Sequence, residues 1–198
     1  MSDNQPQGNY YNKYESKNII EKRLMQGFFN SIDRCLDQIK FQRVLEAGCG
    51  EGHVTDYIKR RYKCTIEGFD IGEEAINKAK RYFVDIPFYI HSIYELPYEE
   101  EFDLVVCCEV IEHLEQYEKA LEELFRISKK YVLVSVPREP LWRFLNLCRL
   151  KYVKDLGNTP GHINHWGHKE FKRLLSKYGN IIDTQSPLPW QVILLEKR

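Results

Sequence analysis

The sequence has no apolar run approaching the roughly 20 residues that cross a bilayer. Residues 1–6 lack the basic-then-apolar pattern of a secretory signal. A cytoplasmic chain without a transmembrane segment is therefore the expectation. No charge of one sign is in excess, because 29 Lys+Arg balance 29 Asp+Glu. That excludes a histone-like cation or an acidic tail, and leaves attraction to nucleic acid or anionic membrane to local patches. There is no C-x-x-C pair. The six cysteines (Cys35, Cys49, Cys64, Cys107, Cys108, Cys148) are scattered, several of them inside apolar runs where a thiol acts as a small hydrophobe. Neither a zinc knuckle nor a disulfide framework is expected. Internal repeats and low-complexity tracts are lacking too, and 198 residues with 43% hydrophobic positions read as one compact domain.

What is present is an alternation. Ile20, Leu24, Phe28, Ile32 and Leu36 recur at helical spacing, predicting a long amphipathic helix whose stripe needs cover. Residues 1–40 are read as an N-terminal helical lid segment ahead of a main domain at 41–198. Strands are predicted at Arg43 to Ala47, Thr65 to Phe69, Phe88 to His91, Leu104 to Cys108 and Tyr131 to Val136. Helices are predicted at His53 to Tyr62, Glu73 to Phe83 and Gln116 to Ile127. Runs such as Leu-Val-Val-Cys-Cys are apolar at consecutive positions, as strands buried on both faces are, so a parallel sheet wrapped by helices follows. After Pro137 a Trp- and Leu-rich segment and a turn-rich stretch read as a cap-like insertion at about 138–168. A short helix (Lys169 to Lys177) and two closing strands, joined through Pro187 and Pro189, complete the chain.

Val44-Leu-Glu-Ala-Gly48-Cys-Gly50-Glu-Gly52 is a buried strand that runs into a glycine-dense turn and a helix. Such a turn brings backbone close to a ligand at a strand's carboxyl end. The charge there chooses between ligands. Glu46 would repel a dinucleotide pyrophosphate by roughly 3 kcal/mol at ~6 Å and an effective dielectric of ~20, whereas S-adenosylmethionine presents a sulfonium and an ammonium against one carboxylate. The G-x-G-x-G spacing also departs from the phosphate-cradling G-x-G-x-x-G. Asp70, at the end of the second predicted strand, can accept hydrogen bonds from both ribose hydroxyls, and Ile71 beside it can pack on an adenine face.

With these pieces the chain resembles the class I S-adenosylmethionine-dependent methyltransferases, most closely the small type 11 branch that includes ubiquinone- and menaquinone-pathway enzymes. Val44 to Gly52, Phe69-Asp70-Ile71, His91 to Tyr98, Phe102 to Glu109 and Glu109-Val-Ile-Glu-His113-Leu carry the resemblance, over about residues 42 to 137. It implies an α/β, Rossmann-like three-layer sandwich with a seven-stranded, mostly parallel sheet and an antiparallel last strand. It further implies that Glu46, Ala47, Gly48, Cys49, Gly50 and Gly52 line the methionine and ribose end, that Asp70 holds the ribose, and that Ile71 and Ile93 sandwich the adenine. Glu109 would lie next to the methionine group. Where the family commonly has an acid that accepts the adenine amino hydrogen, this chain has Ser92.

Glu109, Glu112 and His113 fall at offsets of three and four, so a helical segment would turn them to one side. A similar Glu-x-x-Glu-His, with a later histidine, binds a divalent metal in the small-RNA 3′-terminal ribose 2′-O-methyltransferases. An alternative metal set is accordingly Glu109, Glu112, His113 and His165, against a primary expectation of no metal. His113 and His165 are the candidate bases for deprotonating an acceptor hydroxyl. From Arg126 to Lys154 eight basic residues face Glu139 alone, and Arg138, Arg143 and Arg149 could receive an anionic or amphipathic small molecule or, as an alternative, an RNA end. The expected activity is methyl transfer to a small molecule. An RNA terminal-ribose methyltransferase, a non-catalytic cofactor-binding module and an NAD(P)-dependent oxidoreductase are the alternatives.

Overall fold

In a computed structural model, which describes residues 18–150 and 152–198, the side chains of strand β4 (Phe102–Cys108) alternate between two cores. Val105 and Cys107 join Leu121, Leu124 and Phe171 on one side, while Leu104, Val106 and Cys108 join Phe28, Ile32 and Ile58 on the other. Strand β5 (Ser128–Pro137) divides in the same way, with Val132, Val134 and Val136 against Tyr131 and Leu133. A strand read by two apolar layers must be apolar at every position, which is why the consecutive runs predict this core.

The remaining strands are β1 (Arg43–Ala47), β2 (Thr65–Asp70), β3 (Phe88–Ile90), β6 (Gly179–Gln185) and β7 (Trp190–Lys197). They form one seven-stranded sheet in the order β3-β2-β1-β4-β5-β7-β6. Pairings among β1 to β5 are parallel, and β7 runs antiparallel to both β5 and β6. The expected three-layer fold with its antiparallel last strand is thus the fold adopted. Helices α1 (Ile19–Leu36) and α2 (His53–Tyr62) cover one face; α4 (Tyr117–Ile127) and α6 (His168–Leu175) cover the other. Helix α3 (Glu73–Tyr82) sets Ile76 and Ala79 on a smaller cluster with Cys49 and Phe88.

The stripe of α1 finds its cover on the β6–β7 end of the sheet. Phe28, Ile32, Cys35 and Leu36 are buried, and the rings of Phe28 and Trp190 lie 5.1 Å apart. From Met25 onward the apolar stripe of α1 is part of a packing layer, while Ile19 and Ile20 in its first turn are exposed. Glu21 in that turn pairs with Arg149 at 3.1 Å, joining it to the end of helix α5 (Leu141–Cys148). Residues 1–17 of the expected lid segment, Tyr10, Tyr11 and Tyr14 among them, lie outside the described residues. Five of the cysteines are buried and Cys148 is exposed. No helix among the described residues is long and apolar enough to cross a membrane.

Register sets the carboxyl ends of the central strands side by side. Ala47 is level with Phe69 and Cys107, Asp70 with Ile90, and Cys108 with Ser135. The loops leaving these ends share one rim, where open α/β sheets bind ligands.

Candidate functional site

The glycine turn at the tip of β1 is shaped by close neighbours. Gly48 has φ +69°, and a Cβ there would stand 2.4 Å from Cγ2 of Val110. At Gly52, φ is +83° and a Cβ would meet the ring of Phe88 at 2.7 Å. Both positions therefore require glycine for backbone conformation and for space. Asp70 ties the turn to β2: one carboxylate oxygen accepts from the N–H of Gly50 at 2.9 Å, the other from Gly72 at 2.8 Å. Each oxygen retains a second lone pair that can accept from a ribose hydroxyl. Ile71, the next residue, is 63% exposed.

Beneath the turn lies Glu46, only 2% exposed and hydrogen-bonded to the hydroxyl of Thr55 on α2. Burial, opposed by the Thr55 bond and aided by the charge of Asp70, pushes its carboxyl pKa up to about 8. A positive group placed beside this acid would restore the ionised form that desolvation disfavours. Cys49, behind the turn, is driven well above the ordinary thiol range by its burial and the nearby carboxylates. It is a packing residue, with its Sγ 3.0 Å from where a Cβ on Gly68 would lie.

The adenine-side residues follow β3. The N–H of His91 donates to the Asp70 carbonyl at 3.2 Å, which holds this segment against the end of β2. Ser92 caps a turn by accepting from the N–H of Tyr94 at 3.3 Å, and Ile93 is buried in the main core.

At the end of β4 the sequence expectation needs correction. Residues 109 to 113 are not one helix. Glu109 adopts φ +61°, its N–H extends the ladder to the Ser135 carbonyl at 3.0 Å, and its carboxylate accepts from the Ser135 hydroxyl at 3.0 Å. Only Ile111–His113 form a 3₁₀ turn. The reversal at Glu109 separates it from the next acid, so the three side chains do not share one face. Glu112 and His113 instead meet His162, with ligand atoms within 4.8 Å of one another. His165, expected as the later histidine, sits elsewhere: its Nε2 lies 2.7 Å from Oδ1 of Asn158 and its residue is exposed. Burial and then Arg143 lower the His165 pKa below the ordinary imidazole value.

The basic run from Arg126 to Lys154 divides between two ends of the sheet. Arg126 bonds Glu123 and the carbonyls of Leu96 and Tyr98, and Lys130 pairs with Glu196, both near the start of β5. Arg138, Arg143 and Arg149 follow its carboxyl end. Lys151 lies outside the described residues.

The sequence matches the family described as Methyltransferase domain over residues 20–183. The chain belongs to this family. Among relatives of this methyltransferase domain, a malonyl-[acyl-carrier protein] O-methyltransferase of Bacillus anthracis is 25% identical over 115 residues, covering 57% of the chain and 43% of the relative. A ubiquinone biosynthesis O-methyltransferase of Alkalilimnicola ehrlichii is 27% identical over 134 residues, covering 63% of the chain and 54% of the relative. The domain therefore spans about half the length of these curated relatives. In fold it is similar to magnesium protoporphyrin IX methyltransferase from Synechocystis with bound SAH, at TM-score 0.68 and 17% identity over 92% of this chain and 89% of that one. S-adenosylmethionine fits the residues present: a side-chain-free turn for close approach, a buried acid for its cationic end, and a strand-end carboxylate for its ribose.

Sequence reasoning missed Thr55, Ser135 and His162. Thr55 carried a faint signal as a hydroxyl in the first turn of the helix after the glycines. Nothing in the spacing of the three clustered histidines distinguished His162 from His165.

Proposed function

We propose that this chain transfers the methyl group of S-adenosylmethionine to an oxygen of a small, anionic or amphipathic acceptor. The observation that carries the reading is the buried Glu46 carboxyl beneath a turn that excludes side chains at Gly48 and Gly52. Bound there, S-adenosylmethionine would supply an electrophilic methyl on a cationic sulfur. The protein's task is then to hold the acceptor in line with that methyl and to keep water out. Glu46, Ala47, Gly48, Cys49, Gly50 and Gly52 take the methionine and ribose end in this reading. Asp70 takes the ribose, Ile71, Ser92 and Ile93 the adenine, and Glu109 the methionine side. His113 and His165 are the proposed proton acceptors, with His113 the better supported because it follows β4 directly.

An oxygen acceptor is supported by the two relatives above, both O-methyltransferases. Amphipathic character is supported by α5, where the exposed Phe144 lies beside Arg143 and near Arg149. The exposed first turn of α1 and residues 138–168 are the proposed lid. The division of the basic run weakens the RNA reading, and the G-x-G-x-G spacing of the turn departs from a pyrophosphate-cradling loop. The reading includes a cytoplasmic location.

A transfer screen with isotopically labelled donor tests the proposal against phenols, carboxylates, lipids and RNA. Label in a phenol, carboxylate or lipid fraction is expected; label in RNA alone, or none despite donor binding, would overturn it. Asp70→Ala should weaken S-adenosylhomocysteine binding by about 1–3 kcal/mol through lost hydrogen bonds. Unchanged affinity in titration calorimetry would remove Asp70 from the assignment.

A further inference from the structure

Thr55 has one hydroxyl proton and two places to put it. A threonine inside a helix can donate back to the carbonyl four residues earlier, here that of Glu51. The proton goes elsewhere: the Thr55 hydroxyl donates to Oε2 of Glu46, reaching from α2 across to β1. The pair is enclosed, with Thr55 fully buried and Glu46 2% exposed. The start of α2 delivers the hydroxyl there. His53 begins the helix directly after Gly52, whose φ of +83° turns the chain, and Val54 and Ile58 anchor that helix in the core.

The groups around Glu46 give this bond its weight. Burial and the charge of Asp70, at the end of β2, both favour the neutral acid. Among the described residues only Thr55, through its hydroxyl and then its backbone N–H, pulls toward the carboxylate. The other titratable neighbours are the thiols of Cys49 in the turn and of Cys107 and Cys108 on β4, all held well above the ordinary thiol range by burial. They stay neutral near pH 7 and supply no countercharge. An ionised carboxylate accepts at about four lone-pair positions, so the two bonds from Thr55 leave room for the ammonium of a ligand.

We propose that Thr55 is a positioning residue for the methyl donor: its hydroxyl holds the Glu46 carboxylate in the orientation and charge state that meet the ammonium of the donor's methionine end. This rests on the methyl-transfer reading for the identity of the ligand, though not for the hold on Glu46. Thr55 acts through Glu46 alone. Its methyl group fills space that a valine would fill equally, so the hydroxyl is the part of the side chain that carries the role.

The test reads Glu46 directly, by carbon-13 NMR of its side-chain carboxyl in the cofactor-free full chain, assigned as the signal missing from Glu46→Gln. Thr55→Val keeps the shape and removes the hydroxyl, and its Glu46 midpoint should rise by about one pH unit or more, the worth of a hydrogen bond to a charged group. Thr55→Ser keeps the hydroxyl and should titrate as wild type does. Calorimetry with S-adenosylhomocysteine at pH 7 should then show about tenfold weaker binding by Thr55→Val and a change within about twofold for Thr55→Ser. Thr55→Ala takes the place of Thr55→Val if the latter does not fold. A midpoint unmoved by loss of the hydroxyl, or a raised midpoint with unchanged S-adenosylhomocysteine affinity, would overturn the proposal. Failure of the wild-type chain to bind S-adenosylhomocysteine would instead count against the methyl-transfer reading and leave the carboxyl titration to decide the hold on Glu46.

Discussion

Glu46 concentrates the chemistry of the site in one side chain. Its folded-state pKa of about 8 exceeds the ordinary 4.5, so the folded protein holds a proton that the unfolded chain releases across that interval. The resulting stability is fully present below pH 4.5 and is lost as pH rises through about 8. Glu46→Gln cannot ionise, so it should flatten this decline and raise the Tm of the cofactor-free protein at pH 8. A thermal melt series from pH 5 to 9 measures it, and parallel declines in both proteins would refute the account. The ammonium group of S-adenosylhomocysteine favours the ionised form, so wild-type affinity for it should climb toward pH 8 by up to about tenfold per pH unit. The same slope should be absent in Glu46→Gln. Gly48→Ala sets a Cβ against Val110 at a positive φ and should cost roughly 1–3 kcal/mol of stability. Adding Val110→Ala should recover part of that loss in denaturant unfolding, because it removes the clash but not the backbone strain.

Elements show which parts of the structure can be read in a sequence. The strands β1, β2, β4 and β5 were legible because burial on both faces imposes consecutive apolar residues, and helices α2 to α4 because one face is covered. Helix α1 was legible as a helix, yet its neighbour was not: periodicity reports that a stripe is buried and is silent about the surface that buries it. That surface is the β6–β7 end of the sheet. Phe28→Ala should therefore destabilise the protein by about 3–5 kcal/mol, measured by chemical denaturation, with little change in cofactor affinity in the folded fraction. A stability loss under 1 kcal/mol would mean that α1 is a loosely attached lid. The segment after β4 was misread for a local reason. Offsets of three and four align side chains only on a continuous helix, and Glu109 interrupts it by adopting a left-handed backbone that keeps its N–H in the sheet ladder.

At the scale of the whole molecule, parallel register sets the loops that leave β1, β2, β4 and β5 on one rim while the balanced charge is spread over both ends of the sheet. The glycine turn and the strand end at Asp70 were legible because their residues are contiguous around β1 and β2, where the strand-to-turn transition carries its own pattern. The cluster of Glu112, His113 and His162 depends on His162 returning from about 50 residues downstream, and long-range closure leaves no periodic trace. The central claim is that the turn above Glu46 takes the ammonium end of a methionine-derived nucleoside and rejects a pyrophosphate. Parallel calorimetric titrations of the wild-type chain with S-adenosylhomocysteine and with NAD test it most directly. The account predicts one equivalent of S-adenosylhomocysteine bound and no heat of binding from NAD; saturable binding of NAD with none of S-adenosylhomocysteine would contradict it.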